Sequence, residues 1–461
     1  MQFQDVFKQE TTQLDRYSFT LGEADALLVT LQGPFAHCPV MIHDAKQQLR
    51  ALLSFKTRKP TYCIAKDAQF SSNLTVAGEL PAGEWTITVM CVCHVVGDYT
   101  ITVEPSKLPT SIEDRKEIAG VLGCAKEQLI ASDKRWYHGD LHLHSYYSDG
   151  RVSHLEIDEE VKRKQLDFIA LTDHSLITTK FVRHNYLLVP GTEITWDNEG
   201  HYNIYGIDEL LDYASYFQGC ESKSVALDRL FKDVKKRWGD NACISINHPF
   251  PLDWQMNHHF DIDSVDCIEV INSPYLKPRE VDNQTAVQFF DFLWQKDILL
   301  PAIGGSDAHK KNYCETYPVG LPTNHIFCAG LSTTNLLQSM RAGHTYLSVG
   351  YNVTIDFRDS SNNTILPGSR TTGEVMLNAS CEKEVTWQLV QNGVVIETVV
   401  SSEYRGRAKI KRNDYVRLEA RDVAGDIVFF ANPLHDKVRR YQHADYLDLL
   451  NEFKSEQASN D

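Results

Sequence analysis

Two histidines spaced two residues apart, His142 and His144, lie in the segment His138-Gly-Asp-Leu-His-Leu-His-Ser-Tyr-Tyr-Ser-Asp-Gly150. On an extended strand, residues i and i+2 share a face, so both imidazoles project one way while Leu141 and Leu143 face the other. Two ring nitrogens on one face suit a metal ion. Four further apolar runs each end on a metal-competent side chain. Phe168–Leu171 leads into Thr172-Asp-His174, and Leu187–Pro190 into Gly191-Thr-Glu193. Cys243–Ile246 leads into Asn247-His-Pro249, and Leu299–Ile303 into Gly304-Gly-Ser-Asp-Ala-His309. Asp307 and His309 repeat the two-residue spacing. Asp173 and His174 are adjacent and cannot both aim at one centre from a regular strand, so His174 is expected to ligate and Asp173 to orient from behind.

Residues far apart in sequence meet in this way when β-α units close into a barrel, because the C-terminal strand ends then converge on one face. From Trp136 to Gly350 short apolar runs do alternate with amphipathic stretches such as Leu155–Leu166, Ser224–Trp238 and Val281–Gln295. The flanks read differently. Residues 1–108 carry short β patterns (Ala26–Leu31, Pro39–His43, Asn73–Val76), and a hairpin is expected from Trp85–Val96 and Tyr99–Glu104 about a Gly97-Asp98 turn. Residues 109–135 read as a linker helix after Pro105 and Pro109, with Ile118, Val121, Leu122, Ala125 and Leu129 at helical spacing. Residues 351–432 read as a second β module with Asn392-Gly393 as a type I′ turn, and 433–461 as a helix whose last residues fray. The fold class is therefore multidomain, a central α/β barrel between N- and C-terminal β-sandwich-like modules.

Composition narrows the function classes. The chain has 461 residues, 42% hydrophobic and 23% charged, and no apolar run of the ~18 residues that span a bilayer. Lys plus Arg number 46 against 62 Asp plus Glu, a net charge of −16 that opposes duplex nucleic acid or anionic lipid along a basic surface. The N-terminus lacks a secretory pattern, and 11 scattered cysteines without a CxxC pair suit free thiols in a reducing compartment, so a cytoplasmic location is expected. Cys91 and Cys93 read as small buried hydrophobes.

The set HGDLHLHSYYSDG, LTDHS, PGTEIT, GHYNIYG, NHP, EVIN and GGSDAH resembles the PHP (polymerase and histidinol phosphatase) superfamily over Trp136–Gly350. Residues 331–350, with Arg341-Ala-Gly-His-Thr-Tyr-Leu-Ser-Val-Gly350, are similar to its CehA/McbA-like branch. The resemblance implies a distorted (β/α)7 barrel holding two or three divalent metals. It places ligation on His142, His144, Asp149, His174, Glu193, His201, His248, Asp307 and His309, with Glu193 bridging. His201 also reads as an ordinary strand histidine and Asp149 as a turn residue. The mixed nitrogen and oxygen set suits Zn²⁺, Mn²⁺ or Fe²⁺.

The expected function is a metal-dependent phosphoesterase using metal-activated water on a small phosphorylated substrate: a nucleotide, an oligonucleotide end or a sugar phosphate. Asp307, His248 and Glu193 are the catalytic candidates. Lys310 and Arg183 are candidates for the substrate's phosphate, with Lys311 and Arg279 behind them. Carbamate or carboxylic ester hydrolysis, and a non-catalytic binding role, are the competing readings, and a homo-oligomer is allowed. No nucleophile-elbow GxSxG accompanies Ser145 or Ser306.

Overall fold

A computed structural model describes residues 1–8, 12–107, 118–120, 129–182, 184–220, 222–276, 279–311, 318–439 and 443–460. The described residues between 2 and 106 fold into two four-stranded antiparallel sheets. One runs Gln2–Phe7, Gly97–Ser106, Ala26–Gln32, Thr61–Ala65, and the other Gln13–Leu21, Gly83–Cys91, Pro39–His43, Leu49–Ser54. Their inner faces bury Phe7, Val29, Ile42, Trp85, Ile87, Tyr99 and Ile101. The expected hairpin at Gly97-Asp98 does not form. Gly83–Cys91 and Gly97–Ser106 belong to different sheets, and Gly97 and Asp98 lie inside a strand opposite Phe7 and Val6. Two β-rich runs flanking a turn-competent dipeptide look alike whether they pair or cross between sheets.

Seven strands build the central unit: β1 (Ala131–Asp140), β2 (Phe168–Leu171), β3 (Leu187–Thr195), β4 (His201–Tyr205), β5 (Cys243–Ile246), β6 (Cys267–Asn272) and β7 (Ala302–Gly305), adjacent in that order. Beyond the last residues of β1 and β7 the two edges meet. The Asp307 N–H donates to the His142 carbonyl at 2.8 Å, and the His144 N–H to the Ala308 carbonyl at 3.0 Å, around a parallel Leu143–Ala308 bridge. These closing contacts carry the two His-x-His and Asp-x-His spacings to one place.

Of the distorted (β/α)7 barrel expected over 136–350, the described residues show the seven adjacent strands but not the repeated β-α alternation. β4 is antiparallel to both neighbours, β2 leads to β3 and β3 to β4 without an intervening helix, and helices are few. Only five residues separate β3 from β4, too few for a parallel crossover and enough for an antiparallel return. Among the described residues of this unit the α-helices are α1 (His154–Arg163), α2 (Lys223–Trp238), α3 (Asn283–Gln295) and, between the strands 323–331 and 345–348, α4 (Thr333–Arg341), with a short turn of helix at Tyr213–Tyr216. α1 begins at a capping box: the Ser153 hydroxyl accepts the Glu156 N–H, and the Glu156 carboxylate accepts the Ser153 N–H. Its first turn is thereby fixed just after the loop that carries Asp149.

The helix expected over 109–135 lies mainly outside the described residues. Where the chain is described, Ile118–Gly120 is a strand paired with Lys180–Val182, and β1 begins at Ala131. In the C-terminal part, Gly373–Gln391 and Val394–Ile410 form one long hairpin, with φ of 50° at Asn392 and 79° at Gly393 as a type I′ turn requires. This sheet is continuous with the central one, because Thr345–Ser348 pairs with Ile427–Ala431. Arg417 of that sheet reaches back to α3, its guanidinium donating to Asp291 at 2.6 and 3.1 Å and to Glu419, all three buried. The last helix, α5 (Tyr446–Asn460), starts after the short strand Leu434–His435 and continues through the segment expected to fray. It is anchored by Phe453 against Phe289 and Phe292 of α3.

Candidate metal centre

The nine side chains that the sequence singles out converge at one end of these strands: just past the C-terminal ends of β1, β2, β5 and β7, near that of β3, and at the start of β4, which runs the other way. His144, Asp149, His174 and His309 bring one ligand atom each within 4.8 Å of one another, as do His142, His144 and Asp307, and His142, Glu193 and His248. His144 belongs to the first two groups and His142 to the last two, so they form one continuous cluster. Glu193 lies at its middle. Its Oε1 is 3.2 Å from His142 Nε2 and 3.3 Å from both His201 Nδ1 and His248 Nε2; its Oε2 is 2.8 Å from His174 Nδ1 and 3.4 Å from His144 Nε2. Asp307 Oδ1 faces His144 Nε2 at 3.1 Å and His142 Nε2 at 3.4 Å. Asp149 Oδ1 faces His309 at 3.1 Å and His174 at 3.3 Å.

The donor set fits divalent cations. Asp149 Oδ1, Glu193 Oε2, His201 Nε2 and Asp307 Oδ1 are buried without a hydrogen-bond partner, an arrangement that costs free energy unless a cation satisfies them. Six imidazoles and three carboxylates with no thiolate match borderline and hard ions. Burial alone would raise the Glu193, Asp307 and Asp149 carboxyls, but the surrounding imidazoles outweigh it and hold all three well below the usual carboxylate range. His144 goes the other way: burial, with His309 and His174 alongside, pushes it down to about 3. Its nitrogen is thus an electron-pair donor at neutral pH.

Local structure explains how the strand ends aim these groups inward. His248 and Asp307 have φ of 24° and 50°, in the left-handed region, which costs on the order of 1 kcal/mol each and turns the chain sharply just past β5 and β7. Asp173 accepts from the Ser145 N–H at 2.8 Å, the Ser145 hydroxyl at 2.7 Å and the Ser148 hydroxyl at 2.6 Å. It therefore braces the turn that presents Asp149, whereas His174 Nδ1 is held by the Thr195 hydroxyl at 2.7 Å. Asp173, expected to orient from behind, thus acts on the Ser145–Ser148 turn, and His174 faces the cluster.

Four participants lay outside the sequence-derived set. Glu269 on β6 is buried, accepts from His142 Nδ1 at 2.9 Å and from the His248 N–H at 3.0 Å, and so fixes the tautomer that leaves His142 Nε2 facing the cluster. It sits in the motif EVIN, whose buried acid in an apolar strand was the available signal. From the N-terminal sandwich come His37, whose ring lies 4.4 Å from that of His174, and Lys56, which donates to His37 Nε2 and pairs with Asp149 Oδ2 at 3.0 Å. Arg58 of the same loop donates to the Gly150 carbonyl at 3.2 Å. No local pattern marks these last three; only the docking of the two modules brings them here.

Above the cluster opens a cavity of about 370 Å³ lined by Phe35, Lys56, Arg58, Arg151, Tyr275 and Lys310, with Asp149, Asp307 and His309 at its floor and Glu280 on its wall. Lys310 is thus where a substrate could meet it. Lys311 instead pairs with Glu156 at 3.2 Å, and Arg279 pairs with Asp426. Arg183 lies outside the described residues. Of the three catalytic candidates, Asp307 borders the cavity, whereas Glu193 is fully buried beneath it and His248 nearly so.

No family model matches the chain, and no curated protein matches it. Solved structures with a likeness include a two-domain protein from Bacteroides vulgatus containing a predicted PHP-like metal-dependent phosphoesterase, at 18% identity and TM-score 0.37, covering 67% of this chain and 99% of that one. PsfC from Pseudomonas syringae follows at 17% identity and TM-score 0.30, covering 44% and 87%. An amidohydrolase from Chromobacterium violaceum shows 14% identity and TM-score 0.22, covering 37% and 87%. None of these likenesses assigns an activity.

Proposed function

We propose that this chain is a metal-dependent hydrolase of the PHP type that cleaves small phosphate esters. The observation that carries the reading is a buried cluster of six histidines and three carboxylates opening into a cavity whose rim holds Lys56, Arg58, Arg151 and Lys310. Divalent ions held by His142, His144, Asp149, His174, Glu193, His201, His248, Asp307 and His309 would supply Lewis acidity toward a phosphoryl oxygen and an acidified water.

The protein's own side chains account for the rest. Lys56, Arg58 and Lys310 offer donors to phosphate oxygens at the cavity wall, and Glu280 is the one wall acid outside the ligand set. Glu269 and Thr195 keep the imidazoles of His142 and His174 in fixed orientation. Asp307, which borders the cavity, would exchange a proton with the leaving oxygen of a bound ester. A neutral carbamate would leave the cationic rim unused, which is why phosphate is preferred. The acidic outer surface, with its net charge of −16, favours a small anion over long duplex nucleic acid.

The test is hydrolysis of p-nitrophenyl phosphate, bis-p-nitrophenyl phosphate, nucleotides and naphthyl carbamates by chain loaded with Mn²⁺, Zn²⁺ or Fe²⁺, with and without chelator. Phosphate release that chelator abolishes and metal restores supports the reading. Turnover of the carbamates alone would transfer the assignment to ester hydrolysis, and metal-loaded chain inert toward every phosphate would overturn it.

A further inference from the structure

A second group of metal-competent side chains lies in the N-terminal sandwich. The Pro39–His43 strand pairs with Gly83–Cys91 in the register Val40 to Val89, so Cys38, two residues earlier, comes opposite Cys91, two residues later. Cys93, on the same side two residues beyond Cys91, folds over the pair. The three sulfurs lie within 4.8 Å of one another, Cys38 to Cys93 at 3.6 Å and Cys91 to Cys93 at 4.0 Å. Two thiolates on a tetrahedral zinc, with Zn–S of about 2.3 Å, stand about 3.8 Å apart, and on a trigonal ion about 4.0 Å. The spacing on hand therefore matches thiolates sharing an ion far better than the ~2.05 Å of a disulfide.

We propose that Cys38, Cys91 and Cys93 form a thiolate site for a soft metal ion, Zn²⁺ or Cu⁺, separate from the nitrogen and oxygen centre. In the metal-free chain the Cys93 thiol donates weakly to the His37 carbonyl at 3.7 Å and the Cys91 thiol to the Cys93 carbonyl at 3.5 Å. An entering ion replaces these weak bonds and releases the thiol protons to solvent, forming metal–sulfur bonds with no change of oxidation state. Cys93 is half-buried while Cys38 and Cys91 are buried, so entry is by way of Cys93. The site has a structural consequence for the main centre. His37 precedes Cys38 and sets its ring edge-on against that of His174, so an ion there pins the segment leading into the Pro39–His43 strand against the catalytic cluster.

The experiment titrates the full chain, reduced and stripped of metal, with Cd²⁺ while following the ultraviolet thiolate-to-cadmium charge-transfer band, which the imidazole and carboxylate centre does not produce. The band is expected to saturate with one equivalent, to disappear in Cys93→Ser and to persist in Cys220→Ser. Metal analysis after Zn²⁺ loading is expected to give one equivalent fewer in Cys93→Ser than in wild type, with circular dichroism showing both folded. A band that survives Cys93→Ser, equal metal content in the two, or conversion of Cys38 and Cys93 to a disulfide without metal uptake would each overturn the proposal.

Discussion

Replacing Glu269 by Gln isolates the contribution of a residue that never touches substrate. The carboxylate accepts at once from His142 Nδ1 at 2.9 Å, the His248 N–H at 3.0 Å and the Asn272 side-chain amide at 2.9 Å, all buried. A Gln of the same shape has one acceptor oxygen and one donor NH₂. Whichever way it turns, a donor meets a donor, at either His142 or the His248 and Asn272 pair. The lost charge-assisted hydrogen bond amounts to about 1.5–3 kcal/mol, which at 1.4 kcal/mol per decade is roughly a 10–100-fold loss of metal affinity. That agrees with the usual effect of removing a group that orients a ligating histidine. Competition against a chromophoric chelator measures the affinity directly. Activity of Glu269→Gln is expected to fall at limiting metal and to recover at saturating metal. Unchanged affinity would refute the tautomer argument, and loss of activity that excess metal fails to restore would place Glu269 in the chemistry itself.

Lys56→Met is expected to raise KM for a phosphate monoester several-fold with a smaller change in kcat, and to weaken competitive inhibition by inorganic phosphate; equal kinetics would remove the N-terminal module from substrate binding. The buried His154, with Nε2 unpartnered among Tyr146, Tyr147 and Phe181, is pushed down to about 3 by burial. Because the unfolded chain takes up that proton near pH 6.5 and the folded chain does not, stability is present above pH 6.5 and falls between there and about pH 3. Urea unfolding at pH 7.5 and 5.5 should show His154→Leu losing about 1.4 kcal/mol less than wild type over that step; identical losses would contradict it. Arg417→Met leaves Asp291 as a buried carboxylate without its guanidinium and Glu419 with Arg421 alone. It should cost about 3–5 kcal/mol and lower the unfolding midpoint of the central and C-terminal parts together. Separate transitions would argue against one continuous sheet.

Much of the centre was legible because its residues follow short apolar runs. The runs before His174, Glu193, His248 and Asp307 became β2, β3, β5 and β7, and strand-end placement needs nothing more than local pattern. Strand direction was not legible: buried parallel and antiparallel strands share the same apolar composition, so β4 entered the expected barrel as if parallel. The hairpin at Gly97-Asp98 failed for a related reason, since Gly83–Cys91 pairs with Gln13–Leu21 and Pro39–His43, both far upstream. Asn392-Gly393 succeeded because both residues adopt the positive φ that the dipeptide favours and the flanking strands do pair with each other. Lys56, Arg58 and His37 could not be anticipated at all, because what makes them part of the site is the docking of one module against another.

The cluster around Glu193 is built to hold divalent ions. Crystals of the Mn²⁺- or Zn²⁺-loaded chain, measured at the metal's absorption edge, test it most directly. At least two anomalous peaks are expected, one bounded by His142, Glu193 and Asp307 and one by Asp149, His174 and His309, both absent after chelation and soaking. A metal-loaded crystal with no anomalous density within coordination distance of Glu193 would contradict it.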